Sequence, residues 1–367
     1  MKTLALFLLI PAALFAVVQN APATPVMDAY LYSPTADQIV LQYPYSKPSE
    51  ILPLKATLAL HAEGLEDGTY KLHYAIETGG KKSHSGNAEV KVKNGRFDLE
   101  IALKDKFPSA KGISWRLVAS GSEPKSGYAP LAWSRFHGQV RYKHGGWHST
   151  YIELLPIGWG APGVISVPVA DDGTFDVFVP ARVYAVVNVN GTGYVYDAME
   201  RWAWNYDLTR NREDLFTIGS MELYGMRAFH VQGGPNTLFV FFRPSTLARI
   251  HRFDSDGDKT LNESEMRALQ EALKHSPTAI GPELKPNNIK VWLDGKLLPI
   301  AQLNQIPEAS EGGEWQVDYL VQCLLPTGER PKPGVWHRVK LEVMSEEELR
   351  GQSVTDFGQG SVDFQWD

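Results

Sequence analysis

Oxygen-bearing side chains recur at alternate positions through Asp254, Asp256, Asp258, Thr260 and Asn262, and the run closes on Glu265. A hard divalent cation such as calcium takes six to eight oxygens, so a loop that binds one must turn several carboxylates inward in close succession. Counted from Asp254, the three aspartates stand at loop positions one, three and five. Thr260, Asn262 and Glu265 continue the run at positions seven, nine and twelve with a hydroxyl, an amide oxygen and a carboxylate. The same residue types also favour a solvated acidic turn, so the flanks matter.

The flanks agree with a metal loop. Ser245 or Thr246 can cap an incoming helix just after Pro244, with Leu247, Ile250 and Phe253 at helical spacing. On the exit side Met266, Leu269 and Leu273 share a helix face, and Pro277 stops the helix. Leu261 supplies an apolar position eight. Over 244–276 the sequence therefore resembles a single EF-hand, and the resemblance implies Ca2+ held by Asp254, Asp256, Asp258, Thr260, Asn262 and Glu265, with Thr260 giving its backbone carbonyl, Asn262 acting directly or through water, and Glu265 binding with both oxygens. One position departs from the family pattern: position six, usually glycine at positive φ, is Lys259, while a glycine lies at Gly257. A side chain in that conformation costs about 1–2 kcal/mol. A lone loop with this substitution is expected to bind weakly, with a dissociation constant of about 10⁻⁴–10⁻³ M.

Other chemistry is less sharply drawn. Tyr194 and Tyr196 share one parity, as do Trp202, Trp204 and Tyr206. Such aromatics could stack against sugar rings, or fill a sandwich core. Glu200, Asp207 and Glu222 lie near them in sequence, which leaves an extracytoplasmic polysaccharide-acting hydrolase of the 194–222 region as the alternative function. His144 and His148 stand four apart, but the two glycines between them argue against a helical zinc pair. The chain contains no nucleophile elbow, phosphate loop or dinucleotide fingerprint. A non-catalytic role is expected.

The elements that must carry these residues are mostly strands. Over 24–125, Leu72, Tyr74 and Ile76 alternate with His73 and Glu77, and Asp67-Gly68 and Asn94-Gly95 mark turns. The same holds over 126–243, where Asp171-Asp172-Gly173 precedes Phe175, Val177 and Val179, then Pro180 and the β-branched run from Val183 to Val189. This succession resembles the carboxypeptidase-regulatory-like, or transthyretin-like, sandwich across about 136–198, which implies a fold and no activity. Residues 277–289 are rich in proline and read as a linker, and 290–367 return to strands. The predicted architecture is mainly β, with two to three immunoglobulin-like or transthyretin-like sandwiches and one helical EF-hand insert.

Composition fits that picture. The chain has 367 residues, 43% hydrophobic and 11% aromatic, which excludes a disordered protein. A net charge of −6 provides no basic field for nucleic acid. Residues 1–23 read as a signal peptide, with Lys2, an apolar stretch from Leu4 to Val18, and Ala21-Pro22-Ala23 at the cleavage site. The protein is therefore expected to be secreted or periplasmic, with no transmembrane segment after the signal. The single cysteine, Cys323, alternates with Trp315, Val317, Tyr319 and Val321 and reads as a core residue. The expected partner is an extracellular protein or a glycan, with calcium fixing the junction between β domains.

Overall fold

A computed structural model describes residues 26–32, 57–78, 84–102, 110–119, 121, 123–130, 132–143, 150–156, 164–191, 193–231, 236–310, 312–326 and 330–366. The proposed signal peptide and the His144/His148 pair lie outside these residues.

The protein is mainly β. The first seven strands are β1 (Val26–Tyr32), β2 (Thr57–Glu63), β3 (Gly68–Thr78), β4 (His84–Val92), β5 (Phe97–Ala102), β6 (Ala110–Ala119) and β7 (Lys125–Pro130). They form a three-stranded sheet, β1-β2-β5, and a four-stranded sheet, β4-β3-β6-β7. Alternation does the sorting: Leu72, Tyr74 and Ile76 are buried, while His73 and Glu77 face solvent. With Leu58, Leu60, Ile113, Trp115 and Leu117 they form one sandwich core.

The next strands are β8 (Trp133–Tyr142), β9 (Thr150–Leu155), β10 (Ile165–Pro168), β11 (Thr174–Pro180), β12 (Val183–Gly191), β13 (Arg201–Asp207), β14 (Arg212–Ile218), β15 (Met221–Phe229) and β16 (Thr237–Thr246). Two helices follow, α1 (Leu247–Ile250) and α2 (Glu263–His275). The remaining strands are β17 (Ile289–Leu293), β18 (Lys296–Leu298), β19 (Ile300–Ala309), β20 (Trp315–Leu324), β21 (Trp336–Leu349) and β22 (Gln352–Gln365). Strands β11-β8-β14 make a small sheet over a core that includes Phe136, Phe175, Tyr184, Tyr206 and Phe216. The Tyr184 hydroxyl donates to the Pro180 carbonyl at 2.9 Å and pins the corner between β11 and β12.

The largest sheet changes the domain division read from the sequence. It has 12 strands, in the order β10-β9-β12-β13-β22-β15-β16-β20-β19, with β21, β17 and β18 branching from β22. Strands from 126–243 and from 290–367 therefore share one sheet and one core, in which Trp202, Leu223 and Phe242 meet Tyr319, Leu341 and Val362. The physical reason is β22, which pairs antiparallel with β21 along its length and parallel with both β13 and β15. The segment 277–289 is likewise packed rather than free. Ile280 and Leu284 are buried, the Tyr319 hydroxyl donates to the Pro282 carbonyl at 2.8 Å, and the Leu284 N–H lies 3.0 Å from the Tyr319 oxygen. Cys323 is a buried core residue, and burial pushes its thiol up to about 12.

Both faces of β22 are buried from Asp356 to Phe364, although many of its residues are polar. Glycine makes the crossing possible, since a Cβ at Gly358 would stand 2.8 Å from the Met221 carbonyl oxygen. The polar groups are met by distant partners. Asp363 accepts from both Arg212 and Arg338 and from the Asp207 N–H at 2.8 Å. Ser361 accepts from Arg201 at 2.9 Å. Removing one member of such a buried ionic group leaves the others unpaired, which costs about 3–5 kcal/mol. Asp363→Ala is expected to lower the unfolding free energy by that amount, with a correspondingly lower urea midpoint, whereas Trp315→Ala, on an exposed strand end, is expected to cost less than about 1 kcal/mol. Chemical denaturation of the two variants beside wild type checks this.

Candidate metal centre

The loop is built between two capped helices. Thr246 caps α1, its side chain accepting from the Arg249 N–H. That helix is a single turn of four residues, shorter than the incoming helix the periodicity predicts. The exit helix α2 opens with a capping box: the Asn262 side chain accepts from Ser264 and Glu265, and the Glu265 carboxylate accepts from the Asn262 N–H. Leu269 and Leu273 are buried with Leu247, Ile250, Ile280 and Met199, and Leu261 packs against the same cluster. Apolar spacing on both flanks thus holds the two loop ends together.

Three of the predicted ligands converge. Asp254, Asp256 and Glu265 each offer a carboxylate oxygen, and these oxygens lie within 4.8 Å of one another. A cation with bonds of about 2.3–2.6 Å fits between oxygens so spaced. Asp254 and Glu265 are buried and Asp256 is exposed. The Asp258 carboxylate instead turns back to accept from the Thr260 N–H at 2.7 Å. The Asn262 side-chain oxygen is engaged as the cap of α2, which fits the water-mediated role better than direct ligation. Lys259 adopts φ +67°, the positive value that position six requires, and Gly257 has φ +85°.

Hydrogen bonds and charge favour the ionised forms of Asp254 and Glu265. Asp254 accepts from the N–H groups of Gly257 at 2.7 Å and Lys259 at 2.9 Å, and pairs with Arg350 at 2.9 Å. Burial opposes ionisation, but Arg350 and those N–H groups hold the Asp254 carboxyl down at about 2. The Ser255 hydroxyl and the N–H groups of Asn262 and Ser255 hold Glu265 below its ordinary value. The Lys259 ammonium reaches Asp197 at 2.6 Å, tying the loop to the turn before β13. Arg350 is the participant that sequence reading missed, because it lies far along the chain at the turn between β21 and β22.

The aromatic set is dispersed. Trp202 and Trp204 are buried and stacked at 5.8 Å, with Tyr224 edge-on to both. Tyr206 is fully buried in the other core, against Phe136 and Phe216. The expected shared face of Trp202, Trp204 and Tyr206 fails because Asn205 has φ +50°, which breaks the alternation between them. None of these three presents a flat ring to solvent. Tyr194 is half-buried and Tyr196 is exposed.

Near them lies a pair of carboxylates. Asn190 donates to Glu200 at 2.5 Å. Burial, with Glu153 adding repulsion, pushes the Glu200 carboxyl up to about 7 against the pull of Asn188 and Asn190. Burial and the Glu200 charge raise Glu222 well above the usual range, with Trp202 and Tyr194 opposing. Of the rings near this pair, Trp202 and Trp204 are inside the core, Tyr194 is half-buried and Tyr196 is exposed.

No family model and no curated protein matches the chain. Among solved structures, a DUF3823 family protein from Parabacteroides merdae aligns over 64% of this chain and 98% of its own, at 10% identity and a TM-score of 0.18. A bacterial adhesin from Mobiluncus mulieris, containing intramolecular disulfide, isopeptide and ester bond cross-links, aligns over 56% of this chain and 90% of its own, at 12% identity and a TM-score of 0.19. A marsupial T cell receptor aligns over 92% and 98%, at 8% identity and a TM-score of 0.16. The assignment to the mainly β class rests on the chain's own sheets and cores. No helix among the described residues is long and apolar enough to cross a membrane.

The Glu200–Glu222 pair sets a pH dependence. Both carboxyls are raised on folding, so the folded state prefers them protonated. The Glu200 contribution to stability is complete below the ordinary glutamate pKa of about 4.5 and is lost as pH rises through about 7. Glu222→Gln is expected to flatten the decline with pH and to stabilise the protein at pH 8. Thermal unfolding followed from pH 5 to pH 8 would show parallel curves for wild type and variant if the pair had no such role.

Proposed function

We propose that the protein is an exported, non-catalytic calcium-binding protein. The observation that carries this reading is the convergence of Asp254, Asp256 and Glu265 oxygens at the start of α2, in the register of an EF-hand loop. The positive φ of Lys259 supports it further. Export rests on the signal-like residues 1–23, and it would place the loop where calcium is plentiful enough for a weak site.

In this reading the ion braces a junction. The loop leaves β16 through α1 and returns through α2 toward β17. Arg249 and Arg252 of the entry side both pair with Glu347 on β21 at 2.9 Å. Calcium would draw α1 and α2 together at the loop, while the Arg249 and Arg252 pairs with Glu347 hold the insert on the β21–β22 hairpin, and the β surfaces so joined would engage another macromolecule or a glycan. The weak glycine-poor loop suits a structural ion present at constant concentration rather than a rapid cytosolic signal.

Calorimetric titration of the purified protein with calcium tests the site. Wild type is expected to give a saturable signal with a dissociation constant of about 10⁻⁴–10⁻³ M, and Asp254→Ala/Glu265→Ala none. Saturating calcium should also raise the thermal midpoint of wild type alone. Identical traces for the two proteins would remove calcium from the account.

A further inference from the structure

The turn joining β21 to β22 has Arg350 at φ +53° followed by Gly351 at φ +75°, the two-residue turn favoured between antiparallel strands. It closes a hairpin whose strands pair from Trp336↔Gln365 to Leu349↔Gln352. The turn projects Arg350 onto the acidic loop. Its Nη2 lies 2.9 Å from Asp254 Oδ2 and donates to the Asp254 carbonyl at 2.6 Å. The guanidinium also packs against Gly257: a Cβ there would come within 2.9 Å of Nη1 and 3.3 Å of Cζ. The contact therefore has a built seat, a bare backbone on one side and a buried carboxylate on the other.

The same carboxylate is the first ligand of the calcium reading. An ion seated among Asp254, Asp256 and Glu265 would stand a few ångströms from the guanidinium. Two cations on one carboxylate repel, and the cost scales with the product of their charges. Coupling of this kind is reciprocal: whatever Arg350 does to calcium affinity, calcium does to the Arg350 contact.

We infer that Arg350 is a tethered competitor for the calcium loop, so that calcium loosens the grip of the β21–β22 turn on Asp254 and Gly257. The inference rests on the calcium reading and adds to it a regulator of the same site. Arg350 acts here as a latch: it lowers calcium affinity, and in the absence of the ion it supplies the positive charge that Asp254 requires. The neighbouring contacts divide the work. Arg252 donates to the Glu348 carbonyl at 3.3 Å and pairs with Glu347, so the hairpin stays attached to the loop's entry when the turn lets go.

The test is calcium calorimetry on the full chain, comparing wild type with Arg350→Gln and Arg350→Lys. Arg350→Gln, which removes the charge, is expected to bind calcium roughly tenfold more tightly. Arg350→Lys keeps the charge and loses the planar fork, so its affinity should fall between the two. An unchanged or weaker affinity in Arg350→Gln overturns the latch while leaving the calcium site intact. Absence of binding in all three proteins overturns the calcium reading, and the latch with it. Should Arg350→Gln fail to fold, Arg350→Lys decides alone: tighter binding than wild type supports the latch, and equal or weaker binding refutes it.

Discussion

The Asp363 carboxylate is the point on which the large sheet turns. It sits on a strand buried on both faces, where an unpaired charge would cost several kcal/mol. Arg212 on β14 and Arg338 on β21 both meet it, together with the Asp207 N–H at the end of β13. Asp214 extends the network, accepting from Tyr206 and Arg338, while the Arg212 guanidinium lies 3.7 Å over the Tyr206 ring. Charge, hydrogen bonding and cation–π contact thus converge where β13, β14, β21 and β22 meet. Apolar packing on either side would hold these strands together without fixing which of them lies next to which. The ionic network sets that choice, because its members are satisfied in one arrangement.

A second polar group repeats the pattern near the other end of β22. Burial pushes the Asp356 carboxyl up to about 6, against the pull of Ser220, the Ala248 N–H and Thr246. These partners belong to the segment before β15, to α1 and to its cap. The strand is thereby keyed to the small sheet at one end and to the helical insert at the other. This is why the insert is part of the sheet's architecture rather than a module threaded on a flexible linker.

What could be read from the residues was local. Strands whose two faces differ, such as β3, announce themselves by alternation, and the acidic loop does so by spacing. What could not be read was settled over long distances in the chain. A closing strand near the end of the chain could be read, but not its burial on both faces from Asp356 to Phe364, which Arg201, Arg212 and Arg338 make possible by meeting its polar groups. Prolines in 277–289 suggest a free connection until Tyr319 is seen to bind its backbone. Asn205 carries no conspicuous mark, yet its positive φ sends Tyr206 into a different core from Trp204. Three of the four carboxylates expected at the metal loop came together, and the partner that completes its charge, Arg350, lies 96 residues beyond Asp254.

The central place of β22 has a consequence for how the chain reaches its final form. It is the last of the described strands to leave the ribosome, and it inserts between two strands made about 150 residues earlier. Until it arrives, β13 and β15 carry open edges of the kind that recruit the wrong neighbour. Sheets closed by such distant pairings fold slowly, because the loop entropy must be spent before the contacts repay it.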